Sequence, residues 1–186
     1  ANFAPKIGVC LTAQWSAAQP ETQALFDRLP AQLERAGAQA RAVKLPAAFD
    51  GLNAAQDTIW QYEMARCLAD EHRRFADQLA PRLRGQLEAG WATSHAQYAA
   101  AVDQARVGRA QFAQAIGDCD VLLTPSAPGE APPIETTGDP VFCRMWSLLH
   151  TPAINVPIAR GPNNLPLGVQ IIGRIGDDAR ALACAH

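Results

Sequence analysis

Paired cysteines, clustered metal ligands, long apolar runs and an excess of charge of either sign are all missing from this 186-residue chain. The five cysteines, Cys10, Cys67, Cys119, Cys143 and Cys184, are odd in number and form no Cys-x-x-Cys pair. That spacing excludes the usual zinc and disulfide frameworks and predicts small, buried apolar residues instead. The four histidines, His72, His95, His150 and His186, lie far apart, with no i, i+4 partner of the kind that marks a helical metal site. No apolar stretch approaches the roughly 20 residues of a membrane-spanning helix, and no charged segment followed by an apolar run opens the chain as a secretory leader would. A net charge of −2 offers no basic field for nucleic acid or an anionic membrane. The expectations are a cytoplasmic protein with no cofactor, no metal, no nucleic-acid partner and no membrane partner, acting on small molecules.

The composition that remains, 48% hydrophobic and 18% charged, is that of a folded globular chain, and the length suits one domain over residues 1–186. Ala1 stands where a Met would open a reading frame, and the last residues, from Asp177 to His186, read as a capped helix without a stop signal. The expectation is a piece of something longer.

Residues 6–11 read as a buried strand, 21–36 as a helix disturbed by Pro30 and stopped by Gly37, and 38–45 as a second strand. Such a strand-helix-strand unit favours parallel pairing in a sheet covered by helices. Over 53–79, Trp60, Met64, Cys67, Leu68 and Phe75 recur at helical spacing as a predicted core stripe, with Asn53 and Gln56 in capping-box positions. Pro81 and Gly90 bracket a shorter helix. Ser94 and Gln97 repeat the capping-box pattern ahead of a long helix whose Tyr98, Ala101, Val102, Ala105, Phe112 and Ile116 share a side; the two long helices are expected to pack together. Val121-Leu122-Leu123 is a compact apolar strand. Residues 125–140, with Pro125, Pro128, Pro132, Pro133 and Pro140 and no periodicity, form a loop of functional length. A short helix over 142–149 and strands over 153–158 and 165–172 follow, the strands joined through Gly161-Pro162-Asn163-Asn164 as a hairpin.

Hydrolysis would need an activated nucleophile, a proton carrier and an oxyanion site. Only four serines are present, Ser16, Ser94, Ser126 and Ser147, none in a Gly-rich strand-to-helix turn. The two lysines, Lys6 and Lys44, each flank a strand and lack the desolvated setting of a lysine base. Asp118 and Asp120 form a close carboxylate pair that suits turn capping better than acid–base work or cation binding.

Three segments in series carry a family resemblance: Asp120-Val121-Leu122-Leu123-Thr124-Pro125, then Trp146-Ser147-Leu148-Leu149-His150-Thr151-Pro152-Ala153-Ile154-Asn155-Val156-Pro157, then Leu165-Pro166-Leu167-Gly168-Val169-Gln170-Ile171-Ile172-Gly173-Arg174. In order and spacing they resemble the distal region of the amidase-signature family, and Lys6-Ile7-Gly8-Val9, Ala36-Gly37-Ala38 and Gly90 ahead of the helix containing Tyr98 extend the likeness over nearly the whole chain.

The resemblance implies an α/β fold, a mixed β-sheet flanked by α-helices. It also implies hydrolysis of a carboxylic amide to an acid and ammonia or an amine, through a Ser, a second Ser with a cis peptide bond and a Lys. The family's Gly-Gly-Ser-Ser-Gly-type stretch has no counterpart here, so no catalytic residue is assigned and the chain alone is expected to be inactive. It would be the C-terminal portion of a single domain, with the missing N-terminal half as its partner, a small-molecule amide as substrate, and an uncovered apolar surface that could make a homo-oligomer. The implied role of this portion is the distal wall of the acyl pocket over 137–146, with Thr137, Asp139, Pro140, Arg144 and Trp146 as substrate-binding candidates; the alternative is an exposed loop with one packed Trp. Two other readings stay open. One is a non-catalytic binding or scaffolding protein derived from an amidase. The other is the A-type component of an amidotransferase, against which stands the missing Asn-Asp-x-Leu-Thr-x-Pro-x-Asn pattern before Thr151.

Overall fold

Alternation of side chains across strands explains the layering of residues 4–186, the part that the computed structural model describes. β1 (Lys6–Val9), α1 (Pro20–Arg35) and β2 (Gln39–Ala42) make the expected crossover unit, and the two strands pair in parallel. Pro20 occupies the first turn of α1, where a missing N–H costs nothing. Gly37, just past its end, has φ +92°, which a residue without Cβ adopts freely.

On the other side of β1 lies β3 (Val121–Pro125), also parallel, with Val121 opposite Ile7. β4 (Ala153–Arg160) and β5 (Pro166–Ile172) form the expected hairpin, and β5 inserts antiparallel between β3 and β4. The sheet order is β2-β1-β3-β5-β4, mixed and flanked by helices. Every residue of β3 is buried because both sheet faces are covered. Val121 and Leu123 face Leu25, Phe26 and Leu29 of α1, while Leu122 faces the opposite layer with Phe112, Ile116, Trp146 and Leu149.

That second layer contains α2 (Leu52–Cys67), α4 (Pro81–Ala92), α5 (His95–Ile116) and the short α6 (Arg144–Leu149); α3 (Ala69–Phe75) continues α2 beyond a break at Leu68, and α7 (Asp178–Ala185) closes the chain. Ser94 caps α5 in a full capping box with Gln97, and Asp177 caps α7 by accepting from the Arg180 N–H. The two long helices α2 and α5 pack together as expected. On α5, Ala101, Ala105, Phe112 and Ile116 are buried, whereas Val102 is exposed.

Three expectations are corrected. The stripe on α2 and α3 is not core: Trp60 and Phe75 are 40% and 41% exposed, and Cys67 is exposed. The buried residues of α2 are Leu52 and Ala55, in the core cluster with α5 and α6, and Ala65, where α4 crosses so closely at Gly90 that a Cβ there would overlap the Gln61 carbonyl oxygen and lie 2.7 Å from Ala65 Cβ. Small residues face the crossing and large ones point outward. Asn53 does not cap α2, whose N-cap is Gly51; its amide donates instead to the Val141 carbonyl, 2.7 Å away. Of the cysteines, only Cys10 and Cys119 are fully buried.

Asp118 and Asp120 act at the amino-terminal end of the parallel strands. Asp118 accepts from Lys6 Nζ at 3.3 Å and Arg41 Nη2 at 2.9 Å, contacts that hold its carboxyl below the usual carboxylate range. Asp120 accepts from the Lys6 backbone N–H at 2.8 Å. No helix among the described residues is long and apolar enough to cross a membrane, and no cluster of metal-ligating side chains occurs among them.

Candidate functional site

β3 ends at Thr124-Pro125 on the carboxyl side of the sheet, where ligand clefts of open α/β sheets form. The Pro-rich loop leaves there and returns to α6. Four contacts fix its return, one from β5, two from α2 and one within the loop itself. The buried Gln170 of β5 donates Nε2 to the Phe142 carbonyl at 3.2 Å and to Thr124 Oγ1 at 3.4 Å. Asn53 of α2 holds the Val141 carbonyl. The Cys143 thiol donates to the Ser126 carbonyl at 3.3 Å. Arg144 donates Nη1 to Asp57 Oδ2 of α2 at 2.6 Å, with Nη2 3.8 Å from Asp139 Oδ1.

The outer part of the loop is held as firmly. The Glu130 carboxylate accepts from the backbone N–H groups of Asn163 and Leu165, both at 3.0 Å, and from Asn163 Nδ2 at 2.8 Å, tying the loop to the β4–β5 turn. The Gln19 N–H donates to the Pro128 carbonyl at 2.7 Å. A proline-rich segment with few donors of its own thus becomes ordered by borrowing partners from α1, α2, β5 and a turn.

Two open clefts flank residues 137–144. One, of about 450 Å³, is lined by Thr137, Asp139, Pro140 and Cys143 together with Gln19, Pro128 and neighbouring loop residues. The other, of about 340 Å³ between α2, α4 and α6, is lined by Pro140, Cys143, Arg144 and Ser147, the charged Asp57 and Arg82, Trp60, and the carboxamides of Gln56, Gln61 and Gln86. Four of the five expected residues therefore meet here: Thr137 and Asp139 in the first cleft, Arg144 in the second, and Pro140 in both. Trp146 does not join them. It is 1% exposed and packs edge-on to Phe112, ring centroids 6.1 Å apart.

Asp57, Asn53 and Gln170, none of them expected at this place, hold residues 141–144 from 28 to 88 residues away. Gln170 alone left a signal, as a carboxamide inside the apolar run Leu167–Ile172. Trp60, expected in the core, opens onto the second cleft. A third cleft of about 480 Å³ lies at the carboxyl ends of β1 and β2, between Cys10, Val43, Lys44, Phe49 and Met145. Burial pushes the Cys10 thiol up to about 11, against the lowering effect of a hydrogen bond with the Thr12 backbone, so Cys10 is a packed thiol and not a thiolate nucleophile.

Among the described residues no serine hydroxyl hydrogen-bonds a lysine or histidine: Ser94 pairs with Gln97, and Ser147 with the Cys143 carbonyl. Lys6 is level with Asp120 at one end of the sheet, while Ser126 follows the other end of β3. Six residues of extended chain separate those levels, about 20 Å at the rise of a strand.

The family model for Amidase matches residues 2–182. The curated relatives include the A component of the glutamyl-tRNA(Gln) amidotransferase of Ralstonia nicotianae, 36% identical over 135 residues, covering 65% of this chain and 27% of the relative. The corresponding protein of Cupriavidus taiwanensis is 38% identical over 105 residues, covering 50% of this chain and 21% of that protein. A crystal structure of an amidase superposes with a TM-score of 0.89 at 25% identity over 100% of this chain and 45% of its own. The A component of the glutamyl-tRNA(Gln) amidotransferase of Thermotoga maritima gives 0.73 at 26% identity over 97% of this chain and 41% of its own. The chain thus spans about a quarter of the length of these curated relatives and less than half that of the solved structures. With the family model matched over nearly its full length, and with the mixed sheet of its solved relatives, this chain belongs to the amidase family, the amidase-signature enzymes.

Proposed function

We propose that this chain is the distal portion of an amidase that hydrolyses a small carboxylic amide to an acid and ammonia or an amine, and that it supplies the wall of the substrate pocket and not the nucleophile. The observation that carries this reading is the four-point anchoring of residues 141–144 at the mouth of two clefts, in a chain where no serine hydroxyl hydrogen-bonds a lysine or histidine among the described residues. Thr137, Asp139, Pro140 and Arg144 form the wall, and Trp146 fixes it from behind. The nucleophile, its lysine and the backbone oxyanion donors come from the other part of the same protein.

The exposed edge of the sheet supports that division. β4 is hydrogen-bonded only to β5 among the described residues, and it leaves Ile158 exposed and Ile154, Val156 and Ala159 half-buried. An unpaired edge with apolar side chains is a template for further strands. The amidotransferase relatives favour a second reading, in which this chain is part of the A subunit of an amidotransferase. The polar second cleft suits either reading, because glutamine carboxamides and guanidinium groups can bracket any amide by hydrogen bonding.

Arg144→Ala in the full-length enzyme tests the wall. It should change the relative kcat/KM between small and bulky amides by roughly tenfold, the scale of a few pocket contacts. An equal loss on every substrate would indicate a folding defect, and no change would remove Arg144 from the pocket.

A further inference from the structure

The Arg144–Asp57 pair is unusual among the ion pairs of this protein for its setting. Its side chains are 28% and 37% exposed, whereas the i, i+3 and i, i+4 pairs along the helices are exposed at both partners. Partial removal from water leaves the pair less screened by salt than those surface pairs. It also lies in the wall of a cleft, so its charges face whatever enters.

A guanidinium recognises a carboxylate by presenting two parallel N–H groups. In Arg144 one of these is committed to Asp57 Oδ2 at 2.6 Å, and the nearest other carboxylate, Asp139, is 3.8 Å away and 61% exposed. An incoming carboxylate would compete with Asp57 for the same fork and meet its negative charge at short range. Apart from Arg82, the remaining lining is uncharged, with the partly exposed ring of Trp60 and the carboxamides of Gln56, Gln61 and Gln86.

We propose that Asp57 is a specificity-determining residue, which neutralises Arg144 and so makes this cleft select amides that are uncharged at the end remote from the scissile bond. The proposal rests on the reading of this cleft as the substrate's and adds the class of substrate it prefers. Arg82, exposed and without an ion-pair partner among the described residues, contributes the same charge with or without Asp57, so an effect of changing Asp57 belongs to Arg144.

The test compares butyramide with succinamate, which differ by a terminal methyl against a carboxylate, using the full-length enzyme and its Asp57→Asn variant. The wild type should favour butyramide in kcat/KM. Asp57→Asn should raise the succinamate-to-butyramide ratio about tenfold or more, mainly through KM, and Asp57→Asn combined with Arg144→Gln should return it toward the wild-type value. Calorimetric binding of the same two compounds reads the same ratio without turnover. Hydrolysis of neither compound would therefore count against the amidase reading, while the binding ratio still judges Asp57. A ratio unchanged by Asp57→Asn, an equal loss on both compounds, or no binding of either by wild type and variant would overturn the proposal.

Discussion

Trp146→Ala is expected to lower the unfolding free energy by about 3–5 kcal/mol, the cost of deleting a large aromatic from a core that cannot collapse around it. The ring is 1% exposed and packs on Phe112 of α5, in a layer where Leu122, Leu149 and Ile172 are also buried. Against a total stability of about 5–15 kcal/mol for an ordinary domain, that loss is readily measured by urea unfolding. Trp146→Phe should cost far less, about 1 kcal/mol or below. The Trp146 Nε1–H is buried without a hydrogen-bond partner among the described residues, and removing such a donor offsets part of the lost packing. A Trp146→Ala protein as stable as wild type would mean that the side chain lies on the surface of a cleft.

Gly90→Ala should also be destabilising, and the competing terms can be weighed. In an exposed helix the change would be favourable by about 1 kcal/mol of helix propensity. Here the new methyl would overlap the Gln61 carbonyl oxygen and crowd Ala65 Cβ, and backbone cannot swing aside as a flexible side chain can. Overpacking of this kind costs up to about 3 kcal/mol and occasionally more, so the net effect is destabilising. The α2–α4 crossing should open, and the cleft that Asp57, Trp60, Arg82 and Gln86 share between these helices should open with it. Thermal unfolding of Gly90→Ala beside Gly85→Ala provides the control, since nothing lies within 4 Å of a Cβ at Gly85. Equal melting temperatures would contradict the close crossing.

The parts of this fold that were legible in the sequence are those whose signal is local. The capping box at Ser94 and Gln97, the helix stop at Gly37, the hairpin through 161–164 and the apolar run at Val121-Leu122-Leu123 each depend on neighbours within a few residues, and each is found where the residues predict it. The stripe of Trp60, Met64, Cys67, Leu68 and Phe75 misled because periodicity records which residues share a face and not which face is inward. At the α2–α4 crossing the inward face is the small one, and only the partner helix reveals that. The candidate wall was legible as a segment, from the Pro-rich loop after a buried strand. Its anchors were not: Asn53, Asp57 and Gln170 reach Val141, Arg144 and Phe142 across 28 to 88 positions of chain, and of the three only Gln170, a carboxamide inside an apolar run, is marked in its local sequence.

The central claim is a division of labour, with the pocket wall in this chain and the nucleophile elsewhere in the protein. Its most direct test is turnover of a panel of aryl and aliphatic amides by the purified 186-residue chain beside the full-length protein at equal concentration. The account predicts hydrolysis by the full-length protein and none above background by the chain alone. Turnover by the chain alone, abolished by Ser126→Ala or Ser147→Ala, would contradict it.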